Sequence, residues 1–153
     1  MKIRHGVTDD IPRMRELDIA SPTGARWQVE HYRNLFRAAS PTGTVLIAEA
    51  EGKVRGYLAA SGEGAALELE NIVVDPDVQR QGVASMLVAE LLRRAEEMKV
   101  SLVELEVRES NASARRLYEK CGFAEVRRRP RYYSSPTEDA VIYRYMLTGS
   151  AQP

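Results

Sequence analysis

The stretch VDPDVQRQGVASMLVAELL, residues 74–92, is the most informative part of the sequence because it joins a polar loop to a long amphipathic segment. The apolar residues before it predict a strand ending at Val74, and an apolar stripe predicts a helix over residues 82–98. The first N–H groups of such a helix have no intrahelical partner, and the helix dipole adds partial positive charge. Gly82 permits close approach to the backbone and Arg80 adds a cation, so the loop suits an anion. A plain helix start with a glycine is the alternative.

Along the whole sequence, the pattern of apolar residues predicts one α/β domain with a mixed sheet. The order of elements is β-α-α-β-β-β-α-β-α-β-β. Strands are predicted at residues 3–7, 44–50, 54–60, 66–74, 102–107, 123–131 and 140–147. Helices are predicted at residues 8–20, 27–39, 82–98 and 111–121. The domain spans residues 1–147, and residues 148–153 are predicted to be a disordered tail.

Periodicity also predicts which side chains are buried. In the first helix, Thr8 or Asp9 is the expected cap, and the buried face consists of Ile11, Met14 and Leu17. In the third helix, the expected buried stripe consists of Val83, Met86, Leu87, Leu91, Ala95 and Met98. In the fifth strand, Glu104 and Glu106 share one face, and the alternate residues occupy the other.

Composition limits the classes of partner. The chain has 153 residues, with 22 basic and 22 acidic side chains, so no overall field attracts nucleic acid or an anionic membrane. No segment is long and apolar enough to span a membrane, and the first residues lack a signal sequence. Cys121 is the single cysteine, which excludes an internal disulfide, so a cytoplasmic location is expected. His5 and His31 give no metal-site spacing and are expected to be surface or capping residues.

Two longer motifs resemble a known family. QRQGVA, residues 79–84, resembles the Q/R-x-x-G-x-G/A pyrophosphate loop of the GNAT superfamily of acetyl-CoA-dependent N-acyltransferases, with alanine at the last position. LEVRESNASARRLYEKCGF, residues 105–123, resembles the ribosomal-protein-alanine N-acetyltransferases (the RimI type), as does RRRPRYY…EDAVIYRYML. The resemblance is strong over residues 71–147 and faint over the first 60. It implies a seven-stranded mixed sheet with splayed central strands, flanked by about four helices.

The resemblance also implies a set of cofactor-binding residues for acetyl-CoA, without a metal ion. The pantetheine arm would bind the backbone of Ile72, Val73 and Val74. The pyrophosphate would bind N–H groups of Arg80, Gln81, Gly82, Val83, Ala84 and Ser85. Asn111 and Tyr118 would also contact the cofactor. An N-cap role is equally open for Asn111, and a purely structural one for Tyr118.

The chemistry of acetyl transfer explains why a base and an acid are needed. Only a neutral amine attacks a thioester, and an α-amine with a pKa of about 8 is roughly one tenth neutral at pH 7. The RimI-type pattern places the base at Glu106 and the proton donor at Tyr118, which would protonate the departing thiolate. Glu70 is the second candidate base, because many superfamily members carry theirs on the fourth strand. The N–H of Val74 is expected to stabilise the oxyanion.

The acceptor is the least determined part of the prediction. The resemblance implies the N-terminal α-amine of a protein, such as a ribosomal protein, with Tyr132 and Tyr133 lining the peptide site. A small-molecule amine is the alternative, because residues 21–36 depart from the pattern. A non-catalytic acetyl-CoA-binding domain is disfavoured by the presence of both Glu106 and Tyr118, and a nucleic-acid binder by the zero net charge. The arginines of residues 127–131 either flank a substrate or protect a strand edge. The oligomeric state is not predicted.

Overall fold

The computed structural model describes residues 1–37, 43–62 and 64–147. The predicted tail and the last two residues of the predicted second helix lie outside these ranges. The strands are Lys2–His5 (β1), Thr44–Ala50 (β2), Lys53–Ser61 (β3), Ala66–Val74 (β4), Leu102–Arg108 (β5), Ala124–Tyr133 (β6) and Glu138–Met146 (β7). The helices are Ile11–Ala20 (α1), Val29–Asn34 (α2), Val83–Glu97 (α3) and Ala112–Lys120 (α4). Among these helices, none is long and apolar enough to cross a bilayer.

All seven strands form one sheet in the order β1-β2-β3-β4-β5-β7-β6. Neighbouring strands are antiparallel except β4 and β5, which are parallel. These two strands pair only from Ala66 with Leu102 to Glu68 with Glu104, and then they separate. The predicted mixed sheet with splayed central strands is therefore confirmed. From residue 69 to residue 74, the side of β4 that faces β5 has no strand partner.

Two layers of helices cover opposite faces of the sheet. The larger core cluster combines α3 and α4 with Leu46 and Leu58, whereas the smaller cluster combines α1 and α2 with Ile47 and Tyr57. Successive residues of a strand point to opposite faces, so these alternating assignments place the two helix pairs on different sides. The sheet is consequently buried on both faces beside the splay.

The first helix confirms its predicted face but not its predicted cap. Ile11, Met14 and Leu17 are buried. Residues 8–10 form a 3₁₀ turn, and α1 begins at Ile11 without a side-chain capping bond. The carboxylate of Asp10 accepts the Val7 N–H at 2.8 Å and binds Arg4. Asp10 therefore fixes the start of this segment in place of the predicted cap at Thr8 or Asp9.

The predicted stripe of α3 is wrong at two methionines. Met86 and Met98 are 38% and 45% exposed, and Val88 is buried instead. The 3.6-residue period explains the first error, because Met86 lies off the row formed by residues 83, 87, 91 and 95. Met98 follows the last helical residue and faces solvent. The helix α2 is also shorter than predicted.

We expect Leu87→Ala to lower the free energy of unfolding by about 2–5 kcal/mol, because it leaves a cavity in the larger core. The neighbouring Met86→Ala removes an exposed side chain and should change that free energy by less than about 1 kcal/mol. Urea unfolding of both variants measures the difference. Equal losses would show that the stripe of α3 is assigned incorrectly.

Candidate active site

The separation of β4 from β5 opens a groove of about 860 Å³ in the middle of the sheet. Both strands and the start of α4 form its walls, and the loop after α1 forms one end. The groove is lined by residues 22–25, 69–72, 105–108 and 110–114, with Tyr118 and Tyr133. Six predicted catalytic or binding residues therefore line the groove: Glu70, Ile72, Glu106, Asn111, Tyr118 and Tyr133.

Glu70 enters the groove from a β-bulge. Asn71 lies opposite Ala59 and Leu69 lies opposite Ala60, so Glu70 has no residue opposite it on β3. A bulge of this kind bends a strand and redirects a side chain. The Ser61 hydroxyl donates to one oxygen of the Glu70 carboxylate. The bulge and this bond fix Glu70 at the point where the strands diverge.

Glu106 reaches the groove from β5, with an ion pair beside it. The strand alternates as predicted, because Val103, Leu105 and Val107 are buried. Arg129 Nη1 lies 3.5 Å from Glu106 Oε1. The pKa of Tyr132 is raised, chiefly by its interaction with Glu106.

The other two glutamates of this surface differ from the groove pair. Glu104 is bound by Arg144, with Nη2 at 2.6 Å, and it does not line the groove. The pKa of Glu68 is raised, first by desolvation and then by the charges of Glu70, Glu106 and Glu104. The splayed face is thus a region of concentrated negative charge, which favours a cationic ligand.

Tyr118 is a buried tyrosine whose hydroxyl has no hydrogen-bond partner in the described part of the chain. It is 5% exposed and packs against Phe123 and Tyr143, with ring centroids 5.9 Å and 6.3 Å away. Burial is the main cause that raises its pKa, and nearby Cys121 and Tyr133 add to the effect. The phenol therefore keeps its proton at neutral pH and is available as a hydrogen-bond donor.

Asn111 has the predicted capping role, since its Oδ1 accepts the Ala114 N–H at 3.2 Å. Tyr133 is held at the opposite wall by Arg108, whose guanidinium carbon lies 4.5 Å from the ring centre. Tyr132 does not line the groove and is 49% exposed. Of the predicted peptide-site tyrosines, only Tyr133 lines the groove.

The predicted anion loop lies at the end of β4, outside the groove lining. Arg80 and Gly82 have positive φ angles of 65° and 80°, so the chain turns sharply into α3. Gly82 faces open space, and the Met86 N–H donates the first hydrogen bond of the helix to the Gly82 carbonyl at 3.0 Å. The N–H groups of residues 83–85 precede that bond and have no helix carbonyl to bind.

Asp75 anchors the loop where β4 ends. It is buried, and its carboxylate binds Arg13 at 3.0 Å, Arg55 at 2.9 Å and the Asp77 N–H at 3.0 Å. The last of these bonds is the main reason that the pKa of Asp75 is lowered. Sequence patterns did not identify this residue, because its two arginine partners come from distant segments.

The His31 side chain lies at the surface, as expected, and is 43% exposed. Its Nε2 also lies 3.3 Å from Glu70 Oε1 and its ring stacks on Trp27, contacts that the sequence did not predict. Cys121 is half-buried against the larger core, and burial is the main cause that raises the pKa of its thiol. Of the described residues, no group of three or more His, Cys, Asp or Glu side chains is arranged to hold a metal ion.

The arginine cluster lies on β6, which is an edge strand of the sheet. Arg128 binds Glu109 at 2.8 Å and Glu125 at 3.0 Å, and Arg129 binds Glu106. Part of its charge is therefore compensated within the domain. The edge position is confirmed, and a role toward a substrate stays a prediction.

Comparisons with known proteins agree with this architecture. Residues 11–123 match the model of the acetyltransferase (GNAT) family. The ribosomal protein bS18-alanine N-acetyltransferase of Escherichia coli (strain K12) is 47% identical over 76 residues, which cover 48% of this chain. That match spans 51% of the relative, so about half of its length is represented.

Two solved structures share the fold over nearly the whole chain. The ribosomal-protein-S18-alanine N-acetyltransferase from Escherichia coli has a TM-score of 0.86 at 29% identity, covering 95% of this chain and 93% of that one. The yncA protein from Salmonella typhimurium, solved with its cofactor acetyl-CoA, has a TM-score of 0.84 at 19% identity, covering 100% and 97%.

Proposed function

This chain belongs to the acetyltransferase (GNAT) family, and on that premise we propose that it transfers an acetyl group from acetyl-CoA to a primary amine. One observation carries the proposal. Tyr118, a buried residue whose hydroxyl has no hydrogen-bond partner among the described residues, lines the same groove as Glu70 and Glu106. A proton donor and proton acceptors thus face one space that a substrate can enter.

The residues at the end of β4 fit the donor. The side of β4 that faces the splay lacks a strand partner, so the backbone of Ile72, Val73 and Val74 can bind an extended pantetheine arm as an added strand. The backbone from Arg80 to Ser85 suits a pyrophosphate, because unpaired N–H groups and a helix N-terminus meet there. Asn111 and Tyr118 complete the proposed cofactor site.

The groove residues have separate tasks in this proposal. Acetyl-CoA supplies the thioester that the amine attacks. Glu106 is proposed to take the proton from the amine, and Glu70 is the second candidate for that task. The Val74 N–H is proposed to stabilise the negative oxygen that develops. A phenol has a higher pKa than a thiol, and burial raises the pKa of Tyr118 further, so its hydroxyl donates a hydrogen bond to the departing sulfur and transfers its proton late.

For the acceptor, we propose the N-terminal α-amine of a protein, and a ribosomal protein is the preferred candidate. The support comes from the names of the similar Escherichia coli proteins and from Tyr133, an aromatic wall beside the carboxylates. A small-molecule amine is the second candidate, because the 47% identical match covers only 48% of this chain. The expected cytoplasmic location stays a prediction.

A panel of acceptors tests this proposal. Release of free CoA thiol from acetyl-CoA would be measured with peptides that begin with Ala, Ser, Gly or Met, and with free amino acids and polyamines. We expect turnover on one or more peptides and little on the small amines. Turnover confined to the small amines would refute the protein acceptor while leaving the acetyltransferase activity intact.

We expect Gly82→Ala to weaken acetyl-CoA binding about tenfold, because a side chain at φ 80° strains the loop that presents the N–H groups. Gly64→Ala is the matched control, since Gly64 also has a positive φ, 68°, and faces open space in another turn. Both variants should lose about 1 kcal/mol of unfolding free energy. Calorimetric titration with CoA separates them, and equal affinities would contradict the assignment of the loop.

A further inference from the structure

His31 contacts a groove carboxylate although the proposed reaction assigns it no task. Its Nε2 lies 3.3 Å from Glu70 Oε1, and the Ser61 hydroxyl donates to Oε2 of the same carboxylate. Both oxygens of Glu70 are thus engaged by groups of the chain. The Glu70 side chain is 19% exposed, so it retains an open side toward the groove.

The position of His31 is fixed from two directions. Its ring stacks on Trp27, with centroids 4.0 Å apart and planes 24° from parallel. The next residue, Tyr32, is fully buried, and its hydroxyl lies 3.2 Å from the Tyr57 hydroxyl. The Tyr57 hydroxyl in turn accepts a hydrogen bond from Asn71 Nδ2 at 2.9 Å. The helix that carries His31 is therefore tied to the neighbour of Glu70 on β4.

The two groove carboxylates have different partners. Glu106 has the permanent cation of Arg129 at 3.5 Å, whereas Glu70 has a hydroxyl and an imidazole. Among the described residues, no lysine or arginine forms an ion pair with Glu70, so no permanent cation offsets the charge of this carboxylate. Glu70 is therefore the better suited of the two to attract a cation into the groove.

We propose that His31 is a positioning residue of the acceptor site, which fixes the Glu70 carboxylate so that it orients the ammonium group of the incoming amine. This inference rests on the proposed acetyltransferase function. In it, Glu70 binds the ammonium group and Glu106 remains available to take the proton. His31 acts only through Glu70, so its effect must depend on that carboxylate.

A double-mutant cycle tests the dependence. The peptide KM, the acetyl-CoA KM and kcat would be measured for His31→Ala, Glu70→Gln and the double variant. We expect His31→Ala to raise the peptide KM about fivefold, in line with the loss of one hydrogen bond, and to change the other two constants by less than about twofold. In the Glu70→Gln background, His31→Ala should have no further effect.

Two further variants separate positioning from damage to the fold. His31→Gln retains a donor and should recover part of the lost peptide affinity. His5→Gln changes the other histidine, which lies on the edge strand β1, and should leave all three constants unchanged. This inference alone would be overturned if His31→Ala left the peptide KM unaltered. It would also be overturned if His31→Ala raised that KM equally in the Glu70→Gln background. A wild-type protein that acetylates no amine would overturn the proposed function, and this inference with it.

Discussion

Tyr118→Phe is expected to lower kcat by about 10²–10³-fold, because it removes the only group that the proposal assigns as proton donor to the departing thiolate. The substitution leaves the ring, its contacts with Phe123 and Tyr143, and the shape of the groove in place. The affinity for CoA should therefore change by less than about threefold. Steady-state kinetics and CoA titration of the variant measure the two quantities.

The stability of the same variant distinguishes a functional hydroxyl from a structural one. The Tyr118 hydroxyl has no described partner, so its loss should change the free energy of unfolding by less than about 1 kcal/mol. Tyr57→Phe is the matched control, because the Tyr57 hydroxyl contacts Tyr32 and Asn71. That variant should lose about 1–3 kcal/mol without a comparable fall in kcat. If Tyr118→Phe retained full turnover, the proton-donor role would be wrong.

Glu106→Gln is expected to lower kcat by about 10²–10³-fold, since the amide cannot accept the proton of the amine. The amide has nearly the same size and still faces the groove, so the affinity for CoA should be retained. The rate of CoA thiol release at saturating peptide measures the effect. A fall that appears mainly in the peptide KM would instead assign Glu106 to binding.

Two other glutamates make this prediction specific. Glu104→Gln is the control on the same face of β5, because Glu104 is paired with Arg144 and does not line the groove. It should leave kcat within about twofold of wild type. Glu70→Gln should act chiefly on the peptide KM. A larger fall in kcat for Glu70→Gln than for Glu106→Gln would transfer the role of base to Glu70.

The parts of the site that local pattern determines could be predicted from the sequence. The alternating pattern of β5 placed Glu106 on the face opposite to that of the buried Leu105, because strand side chains alternate regardless of the surrounding fold. The cap at Asn111 was predictable because a capping bond joins residues three apart. The positions of β4, the loop and α3 followed from the change of period near Gly82.

Other parts depend on contacts between distant segments and left no local pattern. The bulge that turns Glu70 into the groove arises from the pairing of β4 with β3, and a bulge shifts the register without a fixed sequence signature. His31 reaches Glu70 across 39 residues of sequence. The two arginine partners of Asp75 are similarly remote, so that residue appeared only as part of a polar loop. Met86 was misassigned because an apolar side chain on a helix does not by itself fix which face is buried.

The most direct measurement locates the acetyl group on the product. A peptide with an N-terminal alanine and an internal lysine would be incubated with acetyl-CoA and the protein, and fragment masses would assign the modified nitrogen. The same peptide with a blocked α-amine serves as control. We expect one acetyl group on the free α-amine and none on the blocked peptide. Tight binding of acetyl-CoA without acetylation of any peptide or small amine would contradict it and indicate a non-catalytic acetyl-CoA-binding domain.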